Sequence, residues 1–456
     1  ENIFDIQQGV SINIFLKTGK KEESALAEVF HFDVYGKREA KYAFLLENTL
    51  STVQWRQLKP SAPQYFFVQK NFFGKDEYDK GFSIQKLFSV NGVGITTAHD
   101  NFVISENRTE LLKRFTEFKK SRGETEYLHE KFKVKYKDGW DILKGWNNLQ
   151  KTADVSAYIQ EIQYRPFDKR YIFYEDVLVW RTVRKVMLHF LGDSLVERPR
   201  TKIMRHFLAG ENAALVIGRQ GQVVGSAAWN LAFVSKNITD INLFYRGGGH
   251  VFPLYFYPEG LHSAEARRPN LNADIVQAIS EKTGLLFTAE KESSKNTFAP
   301  IDLLDYIYAV LYCNAYRKKY AEFLKIDFPR VPYPAGAEQF RRLADFGGAL
   351  RQAHLLENAE PAEGLADFPI AGANKIETIA YKNGNAYINK EQYFENVPAE
   401  IWQYCIGGYQ PAQKWLKDRK GFPLAFDDIQ HYRHIVTALK TTIQLQERID
   451  DAFSAD

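Results

Sequence analysis

The sequence predicts a mixed α/β (α+β) protein in which a sheet-rich region precedes a helix-rich one. Short aromatic and β-branched runs separated by Gly, Asn and Asp fill residues 157–257, which is typical of an irregular sheet. Apolar residues recur at helical spacing in residues 302–325, in residues 338–355 and from Asp427 nearly to the C-terminus. With 456 residues, the chain is long enough for two or three domains.

The first sixty residues predict two strands and a helix. Residues 10–16 and 28–35 both alternate apolar and polar side chains, and the polar segment between them suits a hairpin loop. Residues 37–47 have helical spacing. Two prolines within residues 59–63 mark a first boundary. The predicted domains are residues 1–60, 61–300 and 301–456.

The sheet-rich region adds several shorter elements. Strands are predicted at residues 65–68 and 93–97, a basic helix at residues 108–120, and a buried strand at residues 212–220. Residues 131–137 place four lysines on one face if the segment is extended. Such a segment is either an edge strand that its lysines protect from aggregation, or a strand that faces phosphates.

The C-terminal region carries clear start and stop signals. Asp302 is predicted to cap a helix that runs to Lys325 and that Pro329 ends. Residues 378–389 predict a hairpin, because Asn383-Gly384-Asn385 is a strong turn signal. The final helix is predicted to begin at Asp427, where Gln430 is placed to complete a capping box.

Composition limits the class of protein. No run of about 18 apolar residues exists, which excludes a transmembrane helix, and the N-terminus lacks the pattern of a signal peptide. The only two cysteines, Cys313 and Cys405, exclude a disulfide framework or zinc knuckle and favour a reducing cytoplasm. The net charge of +4 is mild, so a DNA-binding surface would have to be a local patch. The missing initiator Met predicts a fragment.

The densest functional signal is a basic, aromatic stretch. Residues 165–205 hold ten Lys or Arg and five Asp or Glu, a local charge of +5. Arginine forks bind phosphate oxygens and guanine edges bidentately. Internal ion pairs of Arg165, Asp168 and Arg170 at a sheet corner are the alternative. The predicted DNA-binding residues are Arg165, Lys169, Arg170, Arg198, Arg200, Lys202, Arg205, His206, Arg219 and Gln220. For Arg219 and Gln220, the alternative is that they are simply the polar residues at which a buried strand leaves the core.

No catalytic residue, cofactor or metal ligand is predicted. The ten histidines form no H-x-x-x-H pair on a helix with a nearby acid, and no G-x-S-x-G elbow occurs. Gly247-Gly-Gly-His250 precedes a strand-like run rather than a helix, which excludes a P-loop. A self-contained nuclease or hydrolase and a protein-interaction scaffold stay open as alternatives.

Segments spread over nearly the whole chain resemble the C-terminal, target-recognition region of type ISP and related type IIG-like restriction–modification enzymes of the adenine-N6 DNA methyltransferase family. Each string is moderately specific, and their shared order makes coincidence improbable. The segments are residues 4–14, 33–41, 59–67, 164–170, 198–200, 204–206, 219–220, 305–310, 320–330, 407–410 and 414–419.

The resemblance implies that residues 1–60 add strands to the Rossmann-like sheet of a methyltransferase domain, and that the basic stretch lies in the target-recognition core. The upstream domain of the same polypeptide would bind S-adenosylmethionine through a glycine-rich loop and would hold a flipped adenine against an Asn-Pro-Pro-Tyr-type motif. Neither motif occurs in this chain, so the chain itself is not expected to methylate DNA. Double-stranded DNA is the expected partner. Whether a helicase or nuclease module lies upstream stays open.

Overall fold

The computed structural model divides the chain into two units, Glu1–Phe73 and Gly74–Asp456, and each is considered by itself. The predicted boundaries after residues 60 and 300 stay predictions. No helix in the described ranges combines the length and the apolar character that crossing a membrane requires. The structure describes residues 2–3, 10–17, 19, 22, 25–62, 64–179, 199–218, 228–259, 266–357 and 360–454, without the side chains of residues 199–201.

The first unit is a two-stranded sheet with one helix. Strand β1 (Val29–His31) pairs antiparallel with β2 (Arg56–Leu58), and α1 (Arg38–Glu47) connects them. The ring of Phe32 stacks on that of Phe44, with centroids 5.4 Å apart. None of the described residues of this unit is buried. The unit therefore has apolar surface but, over the described residues, no closed core.

Two predictions for this part of the chain are confirmed and two are wrong. The strand predicted over residues 28–35 contains β1, and the helix predicted over residues 37–47 is α1. Residues 10–16 and 65–68 form no strand. An alternating pattern becomes a strand only where a neighbouring edge completes its hydrogen bonds. The edge of β1 is taken by β2 rather than by residues 10–16.

The second unit mixes many short helices and strands. Its described helices are α2 (Lys75–Asp79), α3 (Ile84–Leu87), α4 (Asp100–Val103), α5 (Arg108–Lys120), α6 (Thr125–Lys131), α7 (Ile142–Gln150), α8 (Pro199–Leu208), α9 (Ala273–Thr283), α10 (Pro300–Tyr312), α11 (Asn314–Lys319), α12 (Ala321–Leu324), α13 (Ala337–Leu355), α14 (Ala399–Gln403), α15 (Pro411–Asp418) and α16 (Phe426–Ser454), with 3-10 turns at Val155–Tyr158 and Ile241–Leu243. Its described strands are β3 (Phe82–Ser83), β4 (Gly92–Val93), β5 (Ile104–Ser105), β6 (Ile159–Arg165), β7 (Asp168–Phe173), β8 (Ala214–Gly218), β9 (Ala232–Ser235), β10 (Ile238–Thr239), β11 (Gly249–Pro253), β12 (Tyr255–Phe256), β13 (Arg268–Pro269), β14 (Leu286–Phe287), β15 (Thr297–Phe298), β16 (Arg330–Val331), β17 (Ala380–Lys382), β18 (Asn385–Tyr387) and β19 (Tyr393–Phe394).

Two four-stranded sheets organise the middle of the chain. One has the strand order β10-β6-β7-β5 and the other β4-β11-β8-β9. A parallel bridge between Ile95 and Asp240 links the segments that follow β4 and β10. Every residue of β8 is buried, which agrees with the buried strand predicted there. The sheets and the helices that follow confirm the predicted α+β class.

The helix-rich region is built around α10, α13 and α16. Helices α10 and α13 approach so closely at Gly347 that a Cβ atom there would lie 1.8 Å from the carbonyl oxygen of Asp305. The predicted helices at residues 338–355 and from Asp427 are confirmed as α13 and α16. The hairpin of β17 and β18 is also confirmed, with Asn383 and Gly384 at φ values of 52° and 80°.

The single helix predicted from Asp302 to Lys325 is wrong in its continuity. It divides into α10, α11 and α12, because the Asp450 carboxylate of α16 accepts the backbone N–H of Asn314 at 2.6 Å and starts a new helix there. Pro300 begins α10, so Asp302 lies in its first turn and accepts the N–H of Ala299 at 2.8 Å instead of capping the helix.

The lysine-rich strand predicted over residues 131–137 is also wrong. Residues 125–131 form α6, and Lys133 has a φ of 51°, which an extended strand does not adopt. The hydrogen bond from the Val134 N–H to the His129 carbonyl, 3.0 Å, continues the helix end instead. Both interpretations of that segment assumed a strand, so neither holds.

Candidate nucleic-acid interface

The sequence Tyr164–Arg170, which dominates the predicted DNA-binding patch, comprises the turn between β6 and β7 and the strand ends that flank it. Phe167 sits in this turn at a φ of 61°, and its side chain is buried. Its ring packs edge-on against Phe233 of β9 and His354 of α13, at 5.5 and 5.4 Å. We call Tyr164–Arg170 the corner. An aromatic residue at its tip fixes it onto the helix-rich region.

Arg165 points into the corner. Its Nη1 lies 3.2 Å from Oδ1 of Asp240, and its guanidinium lies over the Tyr164 ring at 3.8 Å. Only 8% of Arg165 is exposed. Burial raises the pKa of Asp240 to about 6, against the opposing effect of Arg165, so the pair carries both charges at neutral pH.

Arg170 and Arg419 share one buried carboxylate. Arg170 donates from Nε and Nη2 to Oδ2 of Asp168 at 3.0 and 2.8 Å, and Nη2 of Arg419 donates to Oδ1 at 3.0 Å. Burial alone would raise the pKa of Asp168, but Arg419 and Arg170 hold it below its ordinary value. Glu106 lies 3.3 Å from Arg170 and 3.7 Å from Arg419. The described contacts therefore match the alternative of internal ion pairs at a sheet corner.

The other predicted residues have varied surroundings. Lys169 and Lys202 are exposed. Arg205 forms an ion pair with Glu259, 2.7 Å between Nη1 and Oε1. His206 is buried, its Nδ1 accepts the N–H of Tyr257 at 3.0 Å, and burial lowers its pKa to about 4. His206 is therefore neutral at neutral pH and contributes no charge to a phosphate site.

Four of the ten predicted residues cannot be placed by their side chains. Arg198, Arg219 and Gln220 lie outside the described residues, and so does the side chain of Arg200, whose backbone belongs to α8. A DNA-contacting role for all ten residues stays a prediction. Gly218, the residue before Arg219, pairs with Gly249 at the end of the second four-stranded sheet.

A basic groove that the sequence analysis did not single out runs along α5. It has a volume of about 600 Å³ and is lined by Thr109, Leu112, Lys113, Thr116, Glu117, Lys120 and Lys131. Positions 109, 113, 116 and 120 are spaced by four, three and four residues, so they share one face of the helix. Lys113 and Lys120 are exposed, and neither forms an ion pair with a described residue.

The one acid of this groove is already paired. Oε1 of Glu117 lies 3.0 Å from Nζ of Lys131, and this hydrogen bond raises the pKa of the Lys131 ammonium. Two further lysines and two threonines line the groove. Ammonium and hydroxyl groups are common phosphate ligands, so the groove suits a phosphate-bearing chain. The signal for it in the sequence was the basic helix at residues 108–120.

The groove is anchored on the corner. Glu106, which pairs with Arg170 and Arg419, precedes the start of α5 by two residues. Asn107 then caps the helix, accepting the N–H groups of Thr109 and Glu110 at 2.8 and 3.1 Å. The buried charges of the corner therefore fix the end of the helix that carries the exposed ones.

Within the described ranges, no group of three or more His, Cys, Asp or Glu is arranged to hold a metal ion. The sequence matches one protein family over most of its length: the profile described as "Type ISP C-terminal specificity domain" covers residues 86–448. No curated protein sequence matches the chain.

The solved structures that resemble this fold include the following three. A nuclease-deletion mutant of the Type ISP restriction–modification enzyme LlaGI, in complex with a DNA substrate mimic, is 17% identical with a TM-score of 0.63 over 94% of this chain and 33% of that one. The ATP-dependent Type ISP restriction–modification enzyme LlaBIII bound to DNA is 16% identical, with a TM-score of 0.65 over 91% of this chain and 27% of that one. The DrdV–DNA complex is 16% identical, with a TM-score of 0.63 over 92% and 43%. The chain spans only 33% of the LlaGI chain, and at these identities the likeness shows the fold alone.

Proposed function

The chain belongs to the Type ISP C-terminal specificity domain family, and we propose that it reads the base sequence of double-stranded DNA for a restriction–modification enzyme. The match of that family over residues 86–448 carries the proposal, and it confirms the target-recognition region that the sequence predicted. Sequence is read from base edges in the grooves, whereas phosphate contacts only position the duplex. The module therefore needs both kinds of contact.

The α5 groove supplies the phosphate contacts in this proposal. Lys113 and Lys120 are seven residues apart, so about 10 Å of helix separates them at 1.5 Å per residue. That separation lets the two ammonium groups contact different phosphates of a duplex, whose charges follow one another along the backbone. Lys169 and Lys202, exposed and among the residues predicted from the sequence, would add contacts of the same kind.

The residues of the corner act indirectly in this proposal. Arg165 and Arg170 are held by Asp240 and Asp168. Freeing Arg165 would leave the buried Asp240 carboxylate without its arginine, and freeing Arg170 would leave Asp168 with Arg419 alone. We assign them the task of holding β6, β7 and the start of α5 in one geometry. A rigid support of this kind is what precise placement of contacting side chains requires.

We also propose that the parent enzyme is an adenine-N6 DNA methyltransferase that binds S-adenosylmethionine in an upstream domain and works in the cytoplasm. The exposed apolar surface of the first unit supports a partner domain: Phe15, Leu16, Tyr35 and Leu46 are 80%, 82%, 82% and 86% exposed. Apolar surface of this extent is normally covered. The coding sequence upstream of Glu1 tests this, and a glycine-rich loop and an Asn-Pro-Pro-Tyr-type motif are expected there.

The DNA-reading proposal is tested with the purified 456-residue chain and a pool of duplexes that carry a randomised core. Selection and sequencing of the bound fraction should return one short preferred site. Its affinity should exceed that of a scrambled duplex and should fall steeply with salt as phosphate counterions are released. Incubation with labelled S-adenosylmethionine should transfer no methyl group. Equal affinity for the selected and scrambled duplexes would contradict sequence reading.

A further inference from the structure

A tight turn at residues 244–247 carries an arginine in a conformation that suits glycine. The Gly247 N–H donates to the Phe244 carbonyl at 3.0 Å and closes the turn. Arg246, the third residue of the turn, has a φ of 69°. This position of a turn with positive φ usually holds Gly or Asn, because a Cβ atom is strained there. The next two residues, Gly247 and Gly248, are themselves glycines.

Contacts with the loop at Gly407 fix the backbone of this turn. Phe244 is fully buried, and a Cβ atom at Gly407 would lie 2.0 Å from its ring. The Tyr245 N–H donates to the Gly407 carbonyl at 2.7 Å. The turn at residues 244–247 and the loop at Gly407 therefore pack closely together, and this packing fixes the backbone that carries Arg246. Strain of this kind persists only where the surroundings fix the backbone, and it concentrates at functional positions.

The side chain of Arg246 is available. It is exposed, and it forms no ion pair with any residue that the structure describes. Its guanidinium lies 5.7 Å from the ring of Tyr245, which is 44% exposed. Arg165 and Arg170, by contrast, form ion pairs with the buried carboxylates of Asp240 and Asp168. Arg246 thus presents an exposed arginine fork on a rigid turn, with no ion-pair partner among the residues that the structure describes.

The turn also lies at a defined end of the fold. It leads directly into β11, whose first residue, Gly249, pairs with Gly218, the last residue of β8. Loops at the end of a sheet are common places for recognition side chains, because the sheet fixes their bases.

Resting on the proposed function, we propose that Arg246 is a specificity-determining residue that reads a guanine edge of the target site. A guanidinium can donate two hydrogen bonds to O6 and N7 of guanine, the commonest specific contact in the major groove. This explains why an arginine occupies a position that glycine would fill without strain. In the sequence, Arg246 stands beside the Gly247–His250 run, which was excluded as a P-loop and given no other role.

Arg246→Gly and Arg246→Lys separate reading from other roles. The wild-type chain is first used to select its site from the randomised duplex pool, and each base pair of that site is then exchanged in turn. In Arg246→Gly, discrimination at one G·C pair should fall about 10- to 100-fold, while affinity for a scrambled duplex changes less than about twofold. The melting temperature should not fall, because glycine suits the positive φ.

Arg246→Lys should lose the same discrimination, because an ammonium keeps the charge without the fork. Lys440→Ala, which removes one exposed charge from α16, is the matched control and should change neither property. Full discrimination at every pair in Arg246→Gly would overturn the inference, and so would its rescue by Lys, which indicates a phosphate contact. If the wild-type chain selects no site, the proposed function fails as well.

Discussion

The corner and the α5 groove carry positive charge in opposite ways. Arg165 and Arg170 of the corner, and Arg419 beside it, all contact carboxylates; Arg165 and Arg419 are buried and Arg170 is half-buried. The groove exposes Lys113 and Lys120, and its one acid is paired with Lys131. A high density of arginines in sequence therefore marks a structural joint here, whereas a plain basic helix supplies the accessible charge. The two regions should therefore respond to different changes. Loss of a buried partner, or a change of pH, should alter the stability that the corner provides, whereas salt should alter DNA binding by the groove.

The largest effect is expected from Asp168→Asn. The change removes the buried charge that Arg170 and Arg419 share and leaves them with Glu106, whose side chain is 41% exposed. Breaking a buried ion pair by removing one partner costs about 3–5 kcal/mol, so the free energy of unfolding should fall by that amount. Denaturant unfolding measures it. Lys169→Ala, an exposed neighbour on the same strand, should change stability by less than about 0.5 kcal/mol. If Asp168→Asn were as stable as the wild type, the ion pairs of Asp168 would have no structural role and the contrast with the groove would fail.

At pH values slightly below 6.5, a smaller effect is expected from His354, which packs against the tip of the corner. Burial lowers its pKa to about 3 from an ordinary value near 6.5. Nε2 of His354 lies 2.8 Å from the hydroxyl of Thr442, which donates to the Ala438 carbonyl, so Nε2 is the donor to Thr442. The low pKa keeps the ring neutral at neutral pH. As pH falls from about 6.5 to 3, the unfolded chain takes up a proton that the folded chain refuses. The contribution of His354 to the unfolding free energy is thus fully present above pH 6.5. It is lost as pH falls toward 3, by up to about 1.4 kcal/mol per pH unit.

The His354→Gln variant isolates this contribution. Glutamine can accept from Tyr308 and donate to Thr442 as the imidazole does, but it does not titrate. Below pH 6, the slope of unfolding free energy against pH should be smaller than that of the wild type by about one proton. Identical slopes would show that His354 takes up a proton in the folded state.

Local signals in the sequence predicted much of the fold but little of the charge arrangement. Helices α5, α13 and α16 and the Asn383-Gly384 hairpin follow from periodicity, caps and turn chemistry, all of which act within a few residues. The break between α10 and α11 depends on Asp450, which is 136 residues away from Asn314. Such a contact has no local signature, so the helix appeared continuous in the sequence.

The same limit explains the candidate site. Arg165 meets Asp240 across 75 residues, and Arg419 meets Asp168 across 251 residues. Counting charges between residues 165 and 205 could not include these partners. Neither could it show that Arg246 has none among the described residues, or that its turn adopts a positive φ. The local charge of residues 165–205 predicted the class of partner, and pairing in three dimensions decides which cations are free to contact it.

The smallest effect on stability, and the clearest on binding, is expected from the double change Lys113→Ala and Lys120→Ala. Both side chains are exposed and without an ion pair to a described residue, so the unfolding free energy should change by less than about 0.5 kcal/mol. If each lysine neutralises one phosphate, the slope of log K against log salt should become shallower by about 1.8. Sequence preference should persist, because phosphate contacts carry no base information. Lys382→Ala with Lys440→Ala removes two exposed charges elsewhere and should leave the slope unchanged. If both double variants shift the slope equally, the protein's overall charge rather than the groove attracts DNA, and the contrast between groove and corner loses its functional meaning.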